Sequence, residues 1–416
     1  MIGRGTRTAA GSVALFIVVA ATATTLAAGA LVKAPCATGN WSDGRQYRRL
    51  CYSDIVPLYG TEHLQGGRLP YLDPCSSAGG DRCDEYPVLT MYFMRLAAWI
   101  GHGYGGFFWV NAVLLSLLGL AVAWLLFQMA GERALYFAIA PTLLVYAFVN
   151  WDLLAVALAT AGTLFYFRDR DELSGAFLGL GAAAKLYPAL LVVPFVLGRI
   201  RQRRTGGAVS LVVWSAIAYA VVNAPFALAA REGWLTFFRY NADRVADFDS
   251  LWYLACNRIH QGCSLSPRAI NLLSILALVA VSGGLWWARR VRQPSFPRWT
   301  FAFPLLVTFL LVNKVYSPQY GLWLLPFFVL AFPNLALLIA FEAADLAVFV
   351  TRFSWFGRLA GLGGTPLGAF QIALVVRAAV LLACLVVWVL RDPRDADRHP
   401  AVSGNPIEQD SADVLR

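Results

Sequence analysis

The sequence predicts an all-α, polytopic membrane protein with about 12 transmembrane helices and a large first extracytoplasmic loop. Three observations carry that prediction. Hydrophobic residues make up 59% of the 416 residues and charged residues only 14%, with a mean hydropathy of +0.60. A soluble domain carries roughly 25% charged residues. Apolar runs long enough to span a bilayer recur from residue 106 to residue 390. Short arginine clusters flank those runs, at Arg199, Arg201, Arg203 and Arg204 and again at Arg289, Arg290 and Arg292. Cytoplasmic loops carry such clusters under the positive-inside rule. The net charge of +10 is thereby assigned to topology, and no nucleic-acid partner is expected.

Residues 1–32 read as the first anchor. Arg4 and Arg7 precede an apolar run over 11–32. An uncleaved span is preferred to a signal peptide, for which Ala28-Gly29-Ala30 would be the small-residue cleavage site. Residues 33–105 then form an extracytoplasmic loop. The stretch 88–103, interrupted by Arg95, Trp99 and His102, reads as an interfacial helix, because a full span there would turn the later arginine clusters outward.

A transmembrane bundle is expected over 106–390, with outer loops at 230–266 and 313–320. Spans are placed at 106–128, 134–149 and 153–167. The run 173–198 begins and ends beside cytoplasmic charge, so it reads as two short helices meeting at Lys185-Leu186-Tyr187-Pro188. Proline suits the break, and broken helices are tolerated where they line a cavity. Further spans follow at 207–229, 267–288, 299–312, 319–333, 335–351 and 367–390. Residues 391–416, rich in Asp and Pro, read as a disordered cytoplasmic tail.

Six of the seven cysteines fall into close pairs: Cys36 with Cys51, Cys75 with Cys83, and Cys256 with Cys263. Pairs in polar loops suggest disulfides in an oxidising compartment, each worth ~2–3 kcal/mol. Cys384 lies in an apolar run and reads as packing. Only three of the 34 basic residues are lysines, Lys33, Lys185 and Lys314, and the topology sets all three at or near the outer face. Chance explains so small a sample; the sharper reading is a compact ammonium that meets a phosphate.

Four polar groups converge on the outer side. They are the first loop with Asp54 and Asp84-Glu85-Tyr86-Pro87, the Asn150-Trp151-Asp152 turn, the Lys185 turn, and the stretch from Lys314 to Tyr320. Carboxylates and lysines above an apolar bundle suggest a reaction between a lipid-borne phosphate and a hydroxyl. A carboxylate can take the acceptor proton, and cations can stabilise charge on a leaving phosphate. Each residue has a plainer role as well. Asp54 can be an ion-pair partner of Arg45, Arg48 or Arg49, Glu85 can cap a helix, and Lys314 can snorkel. An ionisable Lys185 between apolar half-helices is harder to explain structurally. Asn150 and Asp152 read as interhelical hydrogen-bonding residues.

At these residues the chain resembles the membrane glycosyltransferases of the GT-C superfamily, and most of all glycosyltransferase family 87. The resemblance rests on Cys51-Tyr52-Ser53-Asp54, Asp84-Glu85-Tyr86-Pro87, Lys185-Leu186-Tyr187-Pro188 and Lys314 to Tyr320. That family includes actinobacterial mannosyltransferases that use polyprenyl-phosphate-mannose. The resemblance implies an inverting sugar transfer at the outer face of the plasma membrane, from a polyprenyl-phosphate sugar to a lipid or glycan acceptor. Mannose is the first expectation for the sugar and arabinofuranose the second. Asp54 matches the placement of the family's catalytic acid, with Glu85 as the alternative base. Lys185, Lys314, Tyr316 and Gln319 are expected at the donor phosphate. Some relatives use a histidine near the donor phosphate in the late outer loop, whereas here Lys314, Tyr316 and Gln319 occupy that region. No cofactor is expected, and no metal is demanded, although one held by Asp54 and Glu85 stays open. A secondary transporter or lipid flippase is the rival reading, because Glu342, Asp345 and Arg377 interrupt late spans and buried charge also marks transport paths. A non-catalytic membrane subunit is the third.

Overall fold

The computed structural model describes residues 3–75, 83–259 and 265–391. Among them are 18 α-helices and no strand. The long first helix, α1 (Gly3–Lys33), is rich in alanine, the best helix former. Thr22 and Thr24 return their hydroxyls to the carbonyls of Val18 and Ala20, so the helix exposes no unsatisfied side-chain donor there.

A polar layer then covers one end of the bundle. It holds α2 (Arg45–Arg48), α3 (Ile55–Thr61) and α4 (Val88–Ile100). Two disulfides, Cys36–Cys51 and Cys75–Cys83, close loops in this layer as the sequence predicts. Cys263 of the third pair lies outside the described residues, as does the expected tail from residue 392. Cys384 is free and buried. Helix α4 stays with the polar layer: Tyr92 donates to the Pro70 carbonyl and Thr90 to that of Ala184.

The bundle follows with α5 (Gly103–Ala130), α6 (Leu135–Ala138), α7 (Pro141–Tyr146), α8 (Asp152–Phe167), α9 (Asp171–Ala184), α10 (Pro188–Arg201) and α11 (Thr205–Ala229). Two shorter helices, α12 (Arg231–Asp243) and α13 (Leu251–Ile259), return to the polar layer. Then come α14 (Pro267–Arg292), α15 (Ala302–Val312), α16 (Leu325–Leu330), α17 (Leu335–Leu359) and α18 (Leu367–Leu390). The molecule is a multi-pass membrane protein. Among the described residues, five helical segments are long and apolar enough to cross a membrane, at Gly11–Cys36, Gly103–Ala138, Thr205–Ala229, Pro267–Arg292 and Leu367–Leu390.

Several expected spans are broken rather than continuous. The stretch 134–149 divides into α6 and α7 because Ala140, ahead of Pro141, is extended. The stretch 319–333 starts as a 3₁₀ turn at Pro318–Trp323 and becomes α16 at Leu325. The break at Lys185 forms where the sequence places it. Lys185 is extended at the end of α9, and Pro188 opens α10 at the position where its missing N–H costs nothing.

At the far end from the polar layer the arginine clusters are partly neutralised. Arg199 donates to Asp171 at 2.7 Å and to the Tyr166 carbonyl at 2.6 Å, and Arg204 pairs with Asp169. Helices α9 and α11 pack closely through Gly175 and Gly179, a small-xxx-small spacing. A Cβ on Gly179 would lie 2.2 Å from the Ser215 carbonyl oxygen. We therefore expect Gly179→Ala to cost about 1–3 kcal/mol through overpacking, read as a lower thermal midpoint in detergent. Gly283→Ala on α14, where a Cβ meets nothing within 4 Å, leaves the midpoint unchanged or raises it.

Candidate active site

Helix breaks leave carbonyl groups without intrahelical partners, and the polar layer supplies donors for them. The Val149 carbonyl accepts the Asp54 amide at 2.7 Å, and the Phe148 carbonyl accepts the Ser53 hydroxyl at 2.7 Å. The Val312 carbonyl accepts the Trp252 indole at 2.8 Å, and the Lys314 carbonyl accepts the Asp247 amide at 2.8 Å. These bonds bring residues 52–54, 85–87, 185–187, 240–247 and 313–323 around two adjoining chambers. The larger has a volume of about 490 Å³ and the smaller about 160 Å³.

Asp54 lines both chambers. It sits just before α3, its amide fixed on Val149. The Tyr52 hydroxyl donates to Asp54 Oδ1 at 2.7 Å, and Tyr52 is itself stacked on Phe353 at 4.8 Å. Asp54 makes no ion pair among the described residues. Arg45, one of its expected ion partners, instead pairs with Asp43 at 2.9 Å. Burial pushes the Asp54 carboxyl above its ordinary range, against the Tyr52 hydrogen bond and the fields of Arg352, Lys185 and Arg244. The charge of Asp54, with burial, holds the Tyr52 hydroxyl protonated by raising it well above its ordinary value. An oriented carboxylate with a raised pKa is a stronger base than a free one.

Glu85 lines the larger chamber. Its amide, and that of Asp84, donate to the buried Glu62 carboxylate at 3.2 and 2.7 Å. Asp84 is structural: the Arg68 guanidinium grips it with two bonds at 3.1 and 2.6 Å. Its φ of 63° is left-handed, a conformation that Asp tolerates better than most residues.

Lys185 also lines the larger chamber. Its ammonium lies 3.0 Å from Asp152 Oδ1 and over the rings of Tyr86, Tyr320 and Trp323. The Trp323 indole donates to the same Asp152 oxygen at 2.6 Å. Asp152 therefore holds the lysine rather than serving as a mere interhelical bond.

The other expected donor-site residues separate. Gln319 lines both chambers, and Lys314 lines the larger. The Lys314 ammonium is engaged by the carbonyls of Ala242 and Arg244, at 3.0 and 2.6 Å. Tyr316 lines neither chamber and is only 3% exposed, with the Arg377 guanidinium 3.7 Å from its ring centre. Lys33 does not line them either; its ammonium lies 3.5 Å from the Leu50 carbonyl and 4.7 Å from the centre of the Phe349 ring.

Sequence reasoning missed Arg244, Asp247 and Arg352. Arg244 lines both chambers, while Asp247 and Arg352 line the smaller one. Arg352 binds Asp249 at 2.6 Å and approaches Asp247 at 3.7 Å. Arg244 reaches Asp247 at 3.4 Å. The signal was the density of charge in Arg244-Val245-Ala246-Asp247-Phe248-Asp249, between two apolar segments.

The crystal structure of ArnT from Cupriavidus metallidurans bound to undecaprenyl phosphate is similar over 78% of this chain and 68% of that one, at 15% identity and a TM-score of 0.39. No curated protein matches by sequence. The sequence model of glycosyltransferase family 87 matches residues 85–313, more than half of the chain. That match takes in Glu85, Lys185 and Arg244; Asp54 precedes it. On this ground the chain belongs to glycosyltransferase family 87.

Proposed function

We propose that this glycosyltransferase moves a sugar from a polyprenyl-phosphate donor to a hydroxyl of a lipid or glycan acceptor, with inversion, at the outer face of the plasma membrane. The observation that carries the reading is Asp54: a carboxylate oriented by Tyr52, without an ion pair among the described residues, at the junction of two chambers, one of which bears cations and aromatic walls. Asp54 takes the proton of the acceptor hydroxyl. The oxygen attacks the anomeric carbon as the bond from that carbon to the phosphate oxygen breaks. The polyprenyl phosphate departs with the bonding pair. Lys185 and Arg244 stabilise its charge, while Lys314 holds the loop that presents Arg244. Mannose stays the first choice of sugar and arabinofuranose the second, both from the family resemblance.

A topology of about 12 crossings with the polar layer outside accompanies this reading. The transporter alternative loses its main support, because Arg377 and Asp345 pair at 3.0 Å between α18 and α17. Glu342 is held by the amide and hydroxyl of Thr142, each at 2.7 Å.

Asp54→Asn is expected to lower kcat/KM by about 10²–10⁴-fold, with donor binding retained, in nanodiscs supplied with radiolabelled polyprenyl-phosphate-mannose and crude lipid acceptors. Transfer that survives the substitution would move the base to Glu85. The base must be ionised, so activity is present above its folded pKa and lost as pH falls through it. The acid limb of the wild-type profile therefore lies above the ordinary value of 3.8.

Lys185→Met leaves Asp152 buried without its cation and is expected to cost about 3–5 kcal/mol of stability. Adding Asp152→Asn restores the thermal midpoint but not turnover. Recovery of turnover by the double variant would confine Lys185 to a structural role. Topology has its own check: a cysteine in place of the exposed Arg201 reacts with a membrane-impermeant maleimide only after the cells are opened.

A further inference from the structure

The two chambers differ in size, wall and charge, and those differences point to separate substrates. We propose that the smaller chamber is the acceptor subsite and that it takes a single neutral sugar ring, the terminal ring of the acceptor. This rests on the transfer reading above. In an inverting displacement the leaving phosphate, the anomeric carbon and the attacking oxygen lie roughly in line, and the base touches the attacking oxygen. Lys185 and the aromatic rings of Tyr86, Tyr187 and Trp323 line the larger chamber alone. An anionic phosphate and an apolar chain fit there. Asp54 stands where that chamber meets the smaller one, so the attacking hydroxyl enters from the smaller side.

Size and charge then narrow the occupant. The volume of about 160 Å³ is close to that of a cavity of roughly 150 Å³ that holds one benzene ring, enough for one ring and far short of a lipid chain. Tyr146, Val149 and Phe353 form apolar walls. Two guanidiniums, Arg244 and Arg352, face two carboxylates, Asp54 and Asp247, and Asp249 pairs with Arg352 behind the wall, so the chamber has no excess positive charge to attract an anion. Three of these charged groups are held in place: Arg352 on Asp249 at 2.6 Å, and Asp247 by Arg244 at 3.4 Å and by the Ser317 hydroxyl at 3.2 Å. Gln319 is 4% exposed and lines the chamber. Its amide makes no side-chain hydrogen bond among the described residues, which leaves a donor and an acceptor for sugar hydroxyls.

The test uses the full chain in nanodiscs with radiolabelled polyprenyl-phosphate-mannose or -arabinofuranose. The acceptors are the octyl glycosides of mannose, glucose and galactose, with octyl glucuronide as the anionic counterpart. Transfer to at least one neutral glycoside, and none to the glucuronide, is expected. Gln319→Ala raises the acceptor KM about tenfold, the loss of a hydrogen bond or two, and leaves the donor KM within about twofold. Val149→Phe, at a residue that lines the smaller chamber alone, fills the chamber and abolishes transfer while binding of undecaprenyl phosphate, measured directly, persists and reports a folded protein. A rise in donor KM instead would place the donor sugar in the smaller chamber and overturn the proposal. Equal use of the glucuronide would also overturn it. Wild-type protein that binds undecaprenyl phosphate but uses no neutral glycoside overturns the acceptor assignment alone. Failure to bind undecaprenyl phosphate overturns the functional reading beneath it.

Discussion

A backbone carbonyl inside a membrane protein must be met by a donor, and no water is there to supply one. The architecture follows from how this chain meets that demand. Where α7, α9 and α15 stop short, the freed carbonyls of Phe148, Val149, Ala184 and Val312 receive Ser53, Asp54, Thr90 and Trp252. Those donors come from the polar layer or from α4 and α13, which cover the same end. The layer is therefore part of the bundle's hydrogen bonding as well as a cover over it. Irregular backbone survives at this depth only where it lines a protein cavity, and here it surrounds the two chambers. The Asp54 amide bond to Val149 fixes the backbone of the candidate base by the same interaction that completes the broken helix.

A second set of contacts ties the loop over 244–250 to the last two helices. Arg352 on α17 binds Asp249, and Arg377 on α18 binds Asp345 and the Asp249 carbonyl at 3.0 Å. Buried ion pairs add little net stability, because desolvation offsets their attraction. They nevertheless discriminate strongly against misplacement, since any other docking leaves a buried charge unpaired. The loop is thus seated in one position, with Arg244 and Asp247 at the chamber wall. The same pairing accounts for the charges that interrupt the late helices without assigning them to a transport path.

Much of this was legible in the chain. Arginine clusters beside apolar runs gave the order of the helices, and Pro188 after an isolated lysine gave the break that lines the larger chamber. Asp54 stood out by its place in the long polar segment between the first two hydrophobic stretches and by its match to the placement of the family's catalytic acid. What could not be read was pairing across distance. Nothing local tells that Lys185 meets Asp152, 33 positions earlier, or that Arg352 reaches back to Asp249, 103 positions earlier. Tyr316 was misplaced for the same reason. It stands three residues from Gln319, but the chain turns between them at Ser317 and Pro318, so one faces Arg377 and the other the chambers. The breaks at Pro141 and Pro318 were visible as residues, yet hydropathy over those stretches reads as continuous span.

The three lysines show how far a residue's chemistry can be separated from its expected partner. A compact ammonium with three donors suits a phosphate, but it equally suits a group of carbonyls or a lone buried carboxylate. Lys33 points to the Leu50 carbonyl, Lys314 to those of Ala242 and Arg244, and Lys185 to Asp152. Each joins segments at the polar-layer end that no helix connects. The planar guanidiniums take the forked and stacked positions: Arg68 on Asp84, Arg352 on Asp249 and Arg377 on Tyr316. Two cations thus remain at the wall of the larger chamber. Lys185 is held by its carboxylate, and Arg244 is carried on a loop that Lys314 holds in place. The cation nearest to a free role is the one that a search for lysines passes over.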